Sequence, residues 1–238
     1  MGVGADVSTL KLTFPCTNEM VSGGLDPDTL PYAKFLPDMV SCAPSTQRLV
    51  LDNNNFGWSV FASNNEVLRN AFIGLGNDKC NDIVDVEICN IKFVLQNILA
   101  YSFPHVRTLR LTCLYDRQSI PRIVQCFPNI TSLCLKDITL SITGIAGVLL
   151  NSPGLEELVL HEKDNSYFNM ELLHTLASHS RIWQRLEFGL APVGDHDPFR
   201  EKLVLCKQAI KQFKLGVKQL VLTSSARSNT RSYPSVLL

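Results

Sequence analysis

Few side chains in this chain are placed to do chemistry, and they are scattered. Asp195-His196-Asp197 is the one tight cluster of acid and imidazole. Such a trio could hold a metal or move a proton. It follows Pro192 in a turn-rich stretch, however, where Asp serves backbone hydrogen bonding, and three adjacent residues rarely converge on one ion without distant ligands. His161-Glu162 opens like the helical motif of zinc proteases, but the position that would need the second His holds Asn165. His174 and His179 are five apart and fall on different faces of a helix, which argues against a shared metal. No phosphate-cradling GxxxxGK[ST], dinucleotide GxGxxG or nucleophile-elbow GxSxG occurs. Asn53-Asn54-Asn55 sits where an expected strand ends, and Asn there bonds free backbone groups as the chain turns away. Eight cysteines are dispersed without a CxxC pair, which gives neither a zinc nor a redox pattern. The expectation is a protein that is not an enzyme, with no cofactor and no metal.

The elements that carry these residues come from a repeated phrase. Residues 104–111 read PHVRTLRL, 128–135 read PNITSLCL and 153–160 read PGLEELVL. The pairs Leu109/Leu111, Leu133/Leu135 and Leu158/Leu160 are two apart, so each pair faces one side of a strand. Weaker copies carry Leu10/Leu12, Leu49/Leu51, Val86/Ile88, Leu186/Phe188 and Leu220/Leu222. The first apolar slot of each copy falls at Val7, Thr46, Ile83, Val106, Ile130, Leu155, Trp183 and Val217, with steps of 39, 37, 23, 24, 25, 28 and 34. One such strand cannot hold a core, but stacked strands form a continuous apolar column.

Segments with helical periodicity lie between the strands: 92–101, 119–127, 141–151 and 169–178, the last with Asn169 as N-cap. Pro104, Pro128 and Pro153 are expected to terminate the helices before them, because the residue preceding proline avoids the helical region. A helix capped by Asn64 or Asn65 is expected to end near Gly74. The fold class is therefore α/β, a leucine-rich-repeat solenoid or horseshoe with a parallel inner sheet and outer helices. The repeat domain spans 1–222 in about eight irregular units, and 223–238 forms a flexible tail containing Ser and Arg.

If the anchors point inward, three rows of side chains line the concave face. The central row reads Lys11, Val50, Glu87, Arg110, Cys134, Val159, Glu187, Val221. The row before it reads Thr9, Arg48, Asp85, Thr108, Ser132, Glu157, Arg185, Gln219. The row after it reads Thr13, Asp52, Cys89, Thr112, Lys136, His161, Gly189, Thr223. From these rows Arg48, Val50, Asp85, Glu87, Arg110, Lys136, Glu157, Val159, His161, Arg185 and Glu187 are the candidates for contact with a protein partner.

Charge is divided along the chain. Residues 200–238 carry a net +7 and residues 1–199 a net −7. Lys207, Lys211, Lys214 and Lys218 recur at helical spacing, with Lys218 already on the next strand. The plain expectation is a solvated helix face, and the alternative is a docking patch for an acidic partner or for phosphate groups. The aromatic among these lysines, Phe213, belongs to the inward apolar stripe of the helix and does not interleave with them on their face, so nucleic acid is not an expected partner. No run of about 18 apolar residues predicts a membrane span. The N-terminus lacks a secretory pattern, so the thiols are expected to be reduced in an intracellular, cytoplasmic or nuclear setting.

The Pro-x-φ-x-x-Leu-x-Leu strands, clearest in Cys126 to Ile138 and Ser152 to Leu160, resemble the ribonuclease-inhibitor-like group of leucine-rich repeats. They look most like the repeat region of fungal F-box proteins. The likeness covers residues 5–223, with 83–165 tightly in frame. It implies a substrate-recognition or adaptor role in which the repeats hold a protein, while an N-terminal F-box bundle docks on a ubiquitin-ligase scaffold. Here the first strand begins by Val7, so no F-box is expected, and ligase components are expected partners only if the chain is part of a longer F-box product. A second reading is a regulator of a partner enzyme or GTPase, acting through sheet-edge loops such as Asn53–Asn55.

Overall fold

A computed structural model describes residues 8–13, 38, 40–41, 43–52, 74–75, 78–89, 102–112, 120–138, 140–161, 168–179, 182–190 and 198–224. It is an α/β protein built on one eight-stranded, all-parallel sheet, and the strands lie side by side in sequence order. The strands are β1 (Thr9–Thr13), β2 (Arg48–Asp52), β3 (Asp85–Cys89), β4 (Thr108–Thr112), β5 (Ser132–Lys136), β6 (Glu157–His161), β7 (Ile182–Leu190) and β8 (Gly216–Ser224). Four α-helices are described: α1 (Ile120–Gln125), α2 (Ile142–Asn151), α3 (Met170–Ser178) and α4 (Pro198–Phe213). A short 3-10 turn spans Asp78–Cys80. The helices pack in succession, α1 on α2, α2 on α3 and α3 on α4.

The register is the one that the paired anchors require. Leu49, Val86, Leu109, Leu133, Leu158, Leu186 and Leu220 align across the sheet, and two residues later so do Leu51, Ile88, Leu111, Leu135, Leu160, Phe188 and Leu222. All of these are buried and belong to one apolar cluster that runs from Val40 to Leu222. Ile145, Val148 and Leu149 of α2 and Leu172, Leu173 and Leu176 of α3 join the same cluster, so the helices close the anchor side of the sheet. Each fully buried Leu or Val there contributes about 1.5–3 kcal/mol relative to exposure. In the first apolar slot Thr46 substitutes for an aliphatic residue and is fully buried. Its hydroxyl is satisfied by donating to the Ala43 carbonyl at 2.7 Å.

Two backbone devices recur ahead of the strands. A four-residue turn closes by Thr46 N to Ala43 O, Ile83 N to Cys80 O, Val106 N to Phe103 O, Ile130 N to Phe127 O and Leu155 N to Ser152 O. Pro44, Pro104, Pro128 and Pro153 occupy the second position of these turns, where their fixed φ and missing N–H suit the bend. The expectation that the prolines end helices holds at Pro153, where α2 stops at Asn151 with Ser152 as its C-cap; α1 stops at Gln125, ahead of Pro128, and the segment before Pro104 lies outside the described residues. Next, one carbonyl accepts two consecutive amides from the following strand. Gln47 O takes Val84 N and Asp85 N, Val84 O takes Arg107 N and Thr108 N, and Arg107 O takes Thr131 N and Ser132 N. Thr131 O and Glu156 O repeat the arrangement with Glu156/Glu157 and Gln184/Arg185. The ladder pins the start of each strand to its neighbour.

The helix caps follow the sequence. Ser141 Oγ accepts from Gly144 N at 3.1 Å, and Asn169 Oδ1 accepts from Leu172 N at 3.0 Å. The second residue of β7 is the fully buried Trp183, whose indole N–H donates to Leu176 O at 3.2 Å. Strand β8 runs to Ser224, two residues beyond the expected domain boundary at 222. The expected helix over 92–101, the cap at Asn64 or Asn65, and the tail from 225 onward lie outside the described residues.

Candidate interaction face

The sheet face opposite the anchors carries the polar residues, because alternate side chains of a strand point to opposite sides. The three rows read from the sequence are the rows of the structure. Lys11, Val50, Glu87, Arg110, Cys134, Val159, Glu187 and Val221 align through all eight strands, flanked on either side by the other two rows. The eleven candidate contact residues therefore share one face. Their exposure differs: Val50 is 8 % exposed and Glu187 7 %, whereas Lys136 is exposed and Arg48, Asp85, Glu87, Arg110, Glu157, Val159, His161 and Arg185 are intermediate.

Ion pairs between neighbouring strands organise the face into two groups. In the first, Lys11 Nζ lies 2.7 Å from Asp52. Arg48 pairs with Glu87 and approaches Asp85 at 3.9 Å. Arg110 closes a two-pronged contact on Asp85, from Nε at 3.2 Å and from a terminal amine at 3.0 Å. The Cys89 thiol donates to Glu87 at 3.4 Å. Arg48, Asp85, Glu87 and Arg110 are partly solvated, so each pair among them contributes about 0–1 kcal/mol, and the set mainly fixes where the side chains stand.

The second group centres on Glu187. One carboxylate oxygen meets His161 Nε2 at 2.8 Å, and the other meets Arg185. The His161 bond, with further help from Arg185, pulls the buried Glu187 carboxyl down to about 2, against a desolvation effect that pushes the other way. Gly189 makes the arrangement sterically feasible. It stands beside His161 in the register, and a Cβ there would lie 2.6 Å from His161 Cγ and 2.7 Å from Cδ2. The imidazole lies where any other residue would put its side chain.

The remaining candidates fall apart or lie elsewhere. His174 packs edge-on against Phe213, with ring centroids 4.7 Å apart, and His179 stacks on Trp183, so the two histidines have separate surroundings. Asn53–Asn55 and Asp195–Asp197 are outside the described residues. Cys80, Cys89, Cys126, Cys134 and Cys206 are thiols. Burial raises Cys126 to about 11 and Cys206 to about 12; burial, then Glu87, raises Cys89 to about 12. These raised values keep Cys89, Cys126 and Cys206 from activation as nucleophiles. Among the described residues no group of three His, Cys, Asp or Glu is placed to hold a metal ion, and no helix is long and apolar enough to cross a membrane.

Lys207 and Lys211 are exposed on α4, Lys214 follows the helix at φ 55°, and Lys218 is exposed on β8. Lys211 and Lys214 at the helix C-terminus also oppose the negative end of its dipole, a structural use for both charges. Lys202 points elsewhere, donating to Phe168 O at 3.0 Å with its ammonium 5.7 Å from the Phe168 ring centroid.

Sequence reasoning placed every row but missed the grouping by ion pairs and the cradle at Gly189. The cradle had a visible signal: His161 and Gly189 stand next to each other in one of the rows read from the sequence. Comparison with family models, with curated proteins and with solved structures gave no match for this chain.

Proposed function

We propose that this chain is a leucine-rich-repeat solenoid of the ribonuclease-inhibitor-like kind and that it works as a protein-binding module, a recognition or adaptor unit rather than an enzyme. On this reading the polar face of the sheet is the concave face and the partner lies across it. The observation that carries the reading is the face itself: three unbroken rows across eight parallel strands, mixed in charge and ordered by cross-strand ion pairs. A surface of this kind offers many weak, oriented contacts, which suits recognition of a folded or extended protein. Thiols that burial keeps protonated fit a reducing intracellular compartment. A ubiquitin-ligase role, which the resemblance implies, requires an F-box on the same product.

The test uses a photo-crosslinking amino acid placed at Thr112 on the polar face or at Thr143 on the exposed side of α2. After irradiation in native extract, a defined protein adduct is expected from position 112 and not from 143. Equal labelling from both positions, or labelling from 143 alone, would overturn the proposal.

A further inference from the structure

The charges of the polar face are unevenly committed. On β1 to β4, Lys11, Arg48, Arg110, Asp52, Asp85 and Glu87 are all engaged with one another. On β6 and β7, Glu187 is shared between His161 and Arg185. Between these groups lie two charges that form no ion pair among the described residues. Lys136 on β5 is exposed and forms no ion pair or hydrogen bond with a described residue. Glu157 on β6 accepts only the Ser132 hydroxyl, at 3.1 Å, and meets no cation among the described residues. The register sets Glu157 beside Ser132 and Lys136 beside His161, so the two charges stand at opposite ends of adjacent strands. Four residues of rise separate those ends, about 13 Å. The floor between them is Cys134, 5 % exposed, and Val159.

From this arrangement we infer that β5 and β6 form the docking window and that its occupant is an extended segment of another protein. That segment carries an acidic side chain over Lys136, an apolar one over Val159 and a basic one over Glu157. Binding over the flanking groups would have to separate ion pairs already made within the sheet. Over the window, a partner's charges meet side chains that form no ion pair among the described residues, and complementarity there sets direction. Charge order makes the site polar along the strand axis, so it reads one direction of the bound chain. The inference rests on the protein-binding reading and narrows it.

The test is an affinity selection of the purified full chain against a random nine-residue peptide library. Enriched peptides are expected to carry an acid and a base about four residues apart with an apolar residue between them. A Lys136→Glu, Glu157→Lys double variant keeps net charge and should lose about tenfold or more in affinity for the selected peptides. It should regain that affinity for synthetic peptides with the two charges exchanged. Enriched peptides with no charge order, unchanged affinity in the double variant, or an unenriched pool would each overturn the window. Self-association of the chain that the double variant abolishes would assign the window to a second copy and overturn the peptide occupant. The crosslink from position 112 reports separately on the broader reading and does not depend on these charges.

Discussion

At the scale of single residues, the group around Glu187 makes the firmest demands. Its carboxyl titrates from about 2 in the folded chain against 4.5 for an unperturbed group. A depressed folded value stabilises the protein above the unfolded value, and that stabilisation is lost as pH falls from 4.5 toward 2. The scale of the loss is on the order of 3 kcal/mol. Urea unfolding at stepped pH should therefore show a steep acid limb in the parent that is shallower in Glu187→Gln. A limb of unchanged slope would remove Glu187 from that account. Gly189 acts through space rather than charge. In Gly189→Ala the added methyl must evict the imidazole from Glu187, costing about 1–3 kcal/mol, the range for a lost bond to a charged group. The cost should vanish in the background of His161→Ala, because the ring that collides is gone. A double-mutant cycle that stays additive would mean the alanine is accommodated some other way.

At the scale of elements, the legible and the illegible parts of the sequence separate for physical reasons. Strand period and paired anchors specify which face each side chain takes, so Leu133 and Leu135 settle the register of β5 and, with it, the side chosen by Cys134. Pairing across the gap is different. Arg110 has two acids within reach on β3, Asp85 and Glu87, and only the packed arrangement shows that it turns to Asp85. The far ends of β7 and β8 were also hidden, because Leu190 and Ser224 carry no anchor signal and gain their strand geometry by pairing with each other. The prolines serve twice: α2 ends with its C-cap at Ser152, directly before Pro153, and the same proline holds the second position of the turn into β6. Helix starts were readable because the cap chemistry is local. Asn169 tests this directly: Asn169→Ala removes the acceptor for Leu172 N and should cost about 1 kcal/mol in urea unfolding. Asn169→Ser should restore most of it, and a neutral alanine variant would show that α3 is held by packing alone.

At the scale of the whole molecule, what matters is that one apolar cluster links residues as distant as Val40 and Leu222. A parallel sheet in sequence order has contacts mostly between neighbours, so stability is expected to pass from rung to rung. Whether eight rungs melt together depends on how strongly each is coupled to the next. Leu109 on β4 is fully buried, and Leu109→Ala should cost about 2–5 kcal/mol through lost transfer energy and the cavity it leaves. Trp183 lies near the start of β7, several strands away, and is buried against Leu176 O, so its fluorescence reports on that part of the sheet alone once Trp58 is replaced by Phe. If the column is one cooperative body, the Trp183 transition in Leu109→Ala shifts by the full amount and coincides with loss of far-ultraviolet dichroism. A Trp183 transition that stays at the parental midpoint while the dichroism splits into two steps would show that the units from β5 onward fold independently of those before them. In that case the window on β5 and β6 would sit at the boundary of the stable half, and its charge order could be studied without the strands that precede it.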